Sequence, residues 1–375
     1  MKIAIDIRSL LDGRPSGIAE YTANIINELV AVAPEHHYEL FYNAARAVAL
    51  PGIPETVSVR QLPYPNKVFN AGQWLARRPR WDQFVTADCF FVPSLRLVPL
   101  APATPLVTTV HDLSFEHFPE FFSLRRRAWH AMMRPRELLE RSTHLIAVSE
   151  ATARDVEERY AIPTDHISVI HSGVTKAAEV SGADEAAVRE RYHLPPRFML
   201  YLGTLEPRKN VGAIIRAFEM VAADIPHDLV IAGVRGWLTA EVDALYRASP
   251  VRERIHFPGE IAVTDKPAVY AAADVFVYPS FYEGFGFPPL EALVAGTPVI
   301  TSLSSSLPEI VGEWAELINP YDIGELALVM RQVVCSKRRI AAAVRHEVQA
   351  RYSWRQAAAK TLACITNVVS DAHRA

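Results

Sequence analysis

Short apolar runs alternate with stretches of helical period along most of the chain. Ile3-Ala4-Ile5-Asp6-Ile7 is apolar at all but one position and predicts a first strand over 3–7, since strands buried on both faces lose the two-residue alternation. A loop through Gly13, Pro15 and Gly17 leads to a helix over about 18–31. On it Tyr21, Ile25 and Leu29 recur at i, i+4 and i+8 and give one buried stripe. Further strands are predicted at Tyr38–Tyr42, Phe90–Val92, Leu106–Val110 and Leu145–Val148. Ser149 after the last of these is a good N-cap, with Glu150 and Asp155 early in the helix that follows.

The rhythm breaks between about 172 and 197, where Ser172-Gly173, a polar helical stretch over 183–192 and Pro195-Pro196 read as a connection between domains. A second series then begins: strand Phe198–Leu202, helix Val211–Val221, strand Leu229–Ala232, a helix near 239–248, and strands Ile255–Phe257 and Val275–Tyr278. A helix over 289–295 ends at Gly296, followed by Thr297-Pro298 and strand Val299–Thr301, and helices fill most of 322–371. This is the pattern of two parallel α/β domains. Two such halves predict a cleft at the carboxyl ends of their strands.

Composition narrows the class. The 375 residues are 50% apolar and 22% charged, enough for two ordinary cores. The 39 basic and 42 acidic residues nearly cancel, which disfavours a nucleic-acid binder. Cys89, Cys335 and Cys364 are too few and too scattered for a disulfide framework or a zinc site. Met1-Lys2 runs directly into the first strand with no leader pattern, and no run approaches the roughly 18 apolar residues of a membrane span. The expectation is a cytoplasmic enzyme.

The strongest chemical signal is Tyr282-Glu283-Gly284-Phe285-Gly286-Phe287-Pro288-Pro289-Leu290-Glu291. A strand ends, a loop with two glycines lets backbone N–H groups approach a ligand, and a helix begins whose positive end suits phosphate. Glu291 is expected in the first turn of that helix, facing the ligand, and Glu283 one loop earlier. Two carboxylates beside a phosphate site fit hydrogen bonds from sugar hydroxyls. The plain alternative is a tight turn with a first-turn Glu on the helix dipole. Arg208 and Lys209 follow strand 198–202, where a bidentate guanidinium and a point charge suit a diphosphate. His111 closes the strand ending Thr108-Thr109-Val110.

The spacing Glu283-x7-Glu291 within Gly-Phe-Gly-Phe-Pro-Pro resembles the signature of retaining, family 4-type glycosyltransferases. The resemblance also includes Ser16-Gly17-Ile18, Val110-His111-Asp112, Val148-Ser149-Glu150, Gly203-Thr204-Leu205-Glu206-Pro207-Arg208-Lys209-Asn210 and Ala295-Gly296-Thr297-Pro298-Val299-Ile300. Tyr352-Ser353-Trp354 resembles the entry to the family's last helix. It implies a GT-B fold: an acceptor-binding Rossmann-like domain over 1–180, a facing nucleotide-sugar-binding one over 181–352, and a helix over 353–375 crossing back to the first. It implies that Arg208 and Lys209 hold the donor's diphosphate, that Gly17 approaches the leaving diphosphate by its backbone, and that His111 lies near the donor sugar. Glu283 with Gly284, Phe285, Gly286, Phe287 and Leu290 would line the donor, and Glu291 would hold the ribose. In the reaction it implies, the leaving phosphate takes the acceptor's proton on the same face, no protein nucleophile is needed, and domain closure excludes water.

The chain contains no Asp-x-Asp, the usual metal-binding pair of sugar-nucleotide enzymes, so no metal or cofactor is expected and the cations and helix end would meet the diphosphate charge. The third position of a Gly-x-Gly-x-x-Gly fingerprint is Pro289, which removes a nicotinamide reading. The forms of the 203–210, 111–114 and 285–289 stretches look most like bacterial mannosyltransferases of O-antigen and exopolysaccharide assembly, implying GDP-mannose and a saccharide or lipid-linked acceptor. UDP-glucose, UDP-N-acetylglucosamine or another GDP-sugar are the alternatives. Thr204 stands where members with phosphatidylinositol acceptors carry Arg, so that acceptor is not carried over. A glycosidase would need no Arg208-Lys209, a hydrolysing epimerase would not carry the two glutamates, and a non-catalytic scaffold would not be expected to keep all four residues. Finally, Arg125, Arg126, Arg127, Arg134 and Arg136 interleave with Phe121, Phe122, Trp129, Met132 and Met133, and Trp74, Arg77, Arg78, Arg80 and Trp81 form a second such cluster. These fit either an anionic membrane surface or a solvated helix face over core.

Overall fold

The first apolar run becomes the hub of a parallel sheet. In the computed structural model, which describes residues 1–11, 16–50, 52–175 and 180–374, seven strands pair in parallel among the described residues. They are β1 (Lys2–Asp6), β2 (His37–Asn43), β3 (Ser58–Leu62), β4 (Cys89–Val92), β5 (Leu106–Val110), β6 (His144–Ala147) and β7 (Ile167–Val169), in the order β3-β2-β1-β4-β5-β6-β7. Gly13 and Pro15 of the predicted first loop lie outside the described residues. β4 and β5 are buried at every position, as their continuous apolar runs require. The two edge strands escaped the pattern because β3 is polar at Ser58, Arg60 and Gln61 and β7 has three residues.

The helix after β1, α1 (Gly17–Val32), buries Tyr21, Ile25 and Leu29 as its period predicts. Its N-cap is Ser16, whose side chain accepts from Ala19 N at 3.1 Å. The C-terminal helix Trp354–Arg374 packs along α1, with Tyr21 and Trp354 rings 5.7 Å apart. Gly173 makes room for that return: a Cβ there would lie 2.3 Å from Trp354 N.

The second sheet comprises β8 (Phe198–Leu202), β9 (Asp228–Ala232), β10 (Ile255–Gly259), β11 (Val275–Tyr278), β12 (Val299–Ser302) and β13 (Glu316–Ile318) in the order β10-β9-β8-β11-β12-β13. α2 (Val211–Val221) follows β8 and α3 (Phe287–Val294) follows β11. The helix Gly182–Tyr192, expected within a linker, belongs to this unit. Arg189 donates to Ala272 O at 2.7 Å, and Arg191 pairs with Asp265 at 2.5 Å.

Residues Met1–Leu113, Leu124–Gly173 and Tyr352–Ala375 form one compact unit, and Ser114–Ser123 with Val174–Arg351 form the other. Ser114–Ser123 therefore leaves its sequence neighbours for the second unit, where aromatic stacking holds it. His117 stacks on Tyr282 at 5.5 Å and Phe121 on Phe281 at 5.4 Å, and Trp237 Nε1 donates to Phe121 O at 2.6 Å. In each sheet the strand order reverses once, between β1 and β4 and between β8 and β11. Doubly wound sheets bind ligands outside the carboxyl ends of strands at that reversal.

Candidate active site

The reversal in the second sheet gathers the charged motifs. β8 leads into a short turn, Pro207–Lys209, that ends on Asn210 in left-handed backbone. The loop leaving β11 carries Glu283 to the same place. Glu283 Oε2 accepts from Arg208 Nη1 at 2.9 Å and Oε1 from Lys209 Nζ at 2.5 Å. Arg208 also donates from Nε and Nη2 to Glu206 Oε1, at 3.1 and 2.8 Å, and from Nη1 to Tyr282 O at 2.6 Å. Lys209 Nζ further donates to Tyr278 Oη at 2.5 Å. Four charged side chains thus form one continuous network that sums to zero.

Burial is the largest influence on Glu283 and pushes its carboxyl up, but the adjacent Arg208 and Lys209 together overcome it and hold the group at about 2. Burial, with help from Arg208, lowers the Lys209 ammonium below its ordinary value. Glu283 is ionised at neutral pH and can only accept hydrogen bonds. It has no proton to give as a general acid.

The loop is stapled by serines the sequence did not single out. Glu283 N donates to Ser305 Oγ at 2.7 Å, and Ser306 Oγ donates to Glu283 O and Phe285 O at 2.9 and 3.0 Å. Gly286 sits at φ +104, and a Cβ there would approach Leu307 Cδ2 to 2.8 Å, so the turn needs glycine. Two expectations are corrected here. α3 begins at Phe287, two residues early, so Glu291 follows the first turn; Tyr270 Oη donates to its Oε2 at 2.7 Å. Pro288 and Pro289 occupy the first turn and have no N–H, so the helix end offers fewer donors than expected. Leu290 is wholly buried, and Phe285 and Phe287 pack ring to ring at 5.1 Å.

Two predicted residues lie in the first unit. Gly17 is exposed at the first position of α1. His111 follows β5, and its Nε2 is 2.8 Å from Pro93 O. A carbonyl only accepts, so Nε2 carries the proton and Nδ1 is left as the acceptor. Burial lowers its pKa and favours this neutral form. The ring meets Tyr21 edge-on at 4.7 Å, which links it to the helix that Gly17 opens. The structure therefore joins Arg208, Lys209 and Glu283 directly, and joins Gly17 and His111 through α1. The residues missed from sequence are Glu206, Tyr278 and the serine pair; the two-residue spacing of Glu206 and Arg208 was the available signal.

The family model Glycosyltransferase Family 4 matches residues 15–177 and Glycosyl transferases group 1 matches 184–350, most of the chain between them. The chain belongs to the family 4-type glycosyltransferases. This glycosyltransferase is 28% identical to O-antigen chain mannosyltransferase B of Escherichia coli over 92% of its own length and 95% of that protein's. It is also 28% identical to the serotype-specific mannosyltransferase WbdA of Escherichia coli, over 67% of this chain but 31% of that longer protein. Its fold is GT-B. Anabaena Alr3699/HepE, solved in complex with UDP and glucose, superposes with a TM-score of 0.75 at 20% identity, covering 98% of this chain and all of that one. For this glycosyltransferase the ionic cluster beyond β8 and β11 is the candidate donor site. Among the described residues no group of three or more His, Cys, Asp or Glu is placed to hold a metal ion.

Proposed function

We propose that the enzyme transfers mannose from GDP-mannose, with retention, to a saccharide or lipid-linked saccharide of cell-surface polysaccharide assembly. The observation that carries the reading is the joining of Arg208, Lys209 and Glu283 at the strand-order reversal of the second unit. The mannosyltransferase names of its relatives support the choice of sugar. Arg208 and Lys209 would exchange part of their contact with Glu283 for oxygens of the diphosphate. They would then stabilise the charge that builds on it as the glycosidic bond breaks. Each Glu283 oxygen keeps a lone pair for a sugar hydroxyl while it holds its cation. The acceptor oxygen bonds to the anomeric carbon, its proton passes to the departing phosphate, and GDP leaves. Glu291 would receive the ribose hydroxyls, and neutral His111 would accept a hydrogen bond at Nδ1. No metal or cofactor is part of this reaction.

The test is a thermal-shift panel with GDP, UDP, ADP and CMP, with magnesium or EDTA, followed by NMR of the anomeric configuration of the product. A nucleotide at 100 times its Kd stabilises a protein by about 2.7 kcal/mol. A shift with GDP that survives EDTA is expected. A shift with UDP alone would replace the donor, and no shift with any nucleotide would remove the reading of the site.

Peripheral binding to an anionic membrane on the cytoplasmic side belongs to the same proposal. The helix Leu124–Met132 buries none of its residues, and it exposes Leu124, Trp129 and Met132 beside Arg125, Arg126 and Arg127. The neighbouring basic residues are less available than the sequence suggested. Arg77 and Arg134 pair with Glu137, Arg136 with Glu140 and Arg80 with Asp82, while Trp81 is wholly buried. Co-sedimentation with anionic vesicles is expected at low salt; its absence would remove this part. Among the described residues no helix is long and apolar enough to cross a membrane.

A further inference from the structure

A diphosphate that draws Arg208 and Lys209 to itself takes them from Glu283, which is only 7% exposed. A buried carboxylate left short of partners is among the costliest arrangements in a protein. A third partner that stays in place would remove that cost. The charged and titratable groups facing Glu283 are Arg208, Lys209 and Glu206 from the loop after β8, Tyr201 on β8 and Tyr278 on β11. The loop after β12 supplies Ser305 and Ser306, which carry no charge.

Tyr278 is the last residue of β11 and is buried. Its ring is stacked between Tyr201, at 5.9 Å, and Phe276, at 5.6 Å, which fixes where its hydroxyl lies. Its Oη accepts from Lys209 Nζ at 2.5 Å, and the same ammonium donates to Glu283 Oε1 at 2.5 Å. A phenol that accepts through a lone pair still has its own proton to give, and Tyr278 gives it to Glu283. Burial first, and then the Glu283 charge, raise Tyr278 well above its ordinary value, so the phenol keeps that proton at neutral pH. Lys209, Tyr278 and Glu283 thus close a ring of three hydrogen bonds. When Lys209 turns to a phosphate oxygen, the bond from Tyr278 to Glu283 is the side of the ring that need not break. Tyr201 carries the same hydroxyl on the neighbouring strand but donates it to Thr204 O at 2.9 Å.

We propose that Tyr278 is a positioning residue of the donor site, its hydroxyl holding Glu283 ionised and in place while Arg208 and Lys209 turn to the diphosphate. The proposal rests on the donor reading above. Without the hydroxyl, Glu283 either keeps hold of the cations or takes up a proton when they leave. Tyr278→Phe keeps the ring stack and both cations and removes only the hydroxyl. Tyr201→Phe, which removes the neighbouring buried hydroxyl, is the control. The full chain of each is titrated calorimetrically with GDP, or with UDP if the thermal-shift panel selects it, at about pH 7.5 and about pH 5, on either side of the range a displaced carboxylate would enter. Near neutral pH Tyr278→Phe is expected to bind about tenfold more weakly than wild type, the scale of a lost hydrogen bond to a charged group. In the free variant the two cations still hold Glu283 ionised, whereas in its complex the carboxyl titrates higher. Binding is then coupled to proton uptake, and the deficit narrows to within about threefold near pH 5. The ratio to wild type cancels the nucleotide's own titration. Tyr201→Phe is expected to bind as wild type does at both pH values. On wild type itself, calorimetry in buffers of different ionisation heat is expected to show no net proton uptake near pH 5. A deficit that does not change with pH, an equal deficit in Tyr201→Phe, wild-type affinity in Tyr278→Phe or net uptake by wild type would overturn the proposal. If wild type binds no nucleotide, the donor reading falls and the proposal with it; where wild type binds, the pH dependence judges Tyr278 alone.

Discussion

The two units open with the same local device and put it to different use. β1 ends on the Asp6 of Asp6-x-Arg8 and the loop leaving β8 carries Glu206-x-Arg208, each a carboxylate holding the guanidinium two residues on. In the first unit the pair is closed by neutral groups, the Gln73 amide and the Leu97 carbonyl. In the second, Lys209 and Glu283 join it, and the carboxylate comes from a loop 75 residues away. The extra ion pair gives the second site two cations that a diphosphate can claim. The first remains a charge-matched pair. The same local clamp is therefore closed by neutral groups in one unit and joined to a second ion pair in the other, according to what the neighbouring elements bring to it.

The largest effect is expected from Lys209→Met, which leaves the buried Glu283 with one cation. Loss of the pair should lower stability by about 3–5 kcal/mol. Loss of a preorganised donor should cut turnover by roughly 10²–10³, measured with GDP-mannose and an active acceptor. Asp6→Asn is the matching change in the first unit. Arg8 is then buried beside an uncharged partner, and urea unfolding should show a loss of about 3 kcal/mol or more. The GDP shift of the surviving folded protein should remain, and its loss would mean that the two clamps are not independent.

Acid should separate the units. His111 is half-buried with a lowered pKa that favours the neutral ring, so the unfolded chain takes up its proton first and stability falls as pH drops below its ordinary value of 6.5. Glu283, lowered from 4.5 to about 2, contributes its full stabilisation above 4.5 and loses it as pH falls toward 2. Hydrogen exchange along a pH series should show α1 and β5 weakening before α3 and β11. The reverse order would overturn the assignment. Gly286→Ala forces a side chain into left-handed backbone against Leu307 and should cost about 1–3 kcal/mol, read as a lower melting temperature. Ser16→Ala removes one cap bond from α1 and is the smallest change, about 1 kcal/mol.

The buried strands and α1 were legible because burial on both faces or on one stripe writes itself into the spacing of apolar residues. β3 and β13 were not, because an edge strand is half solvated or too short to show a period. At the candidate donor site, Arg208, Lys209 and Glu283 were each visible from a local motif, as were Gly17 and His111 in the first unit. The place of Glu291 was misread because Gly286 starts α3 before the prolines rather than after them.

The sequence by itself determined the two α/β series, the family and the residue types available for a diphosphate, since these depend on short-range pattern. Only the tertiary structure decided that Glu283 bridges both cations, that Ser114–Ser123 joins the second unit, and that Tyr278 meets Lys209. Each of these is a pairing across tens of residues of chain. It is settled by which strands lie side by side at the reversal of their order, and no local spacing encodes that.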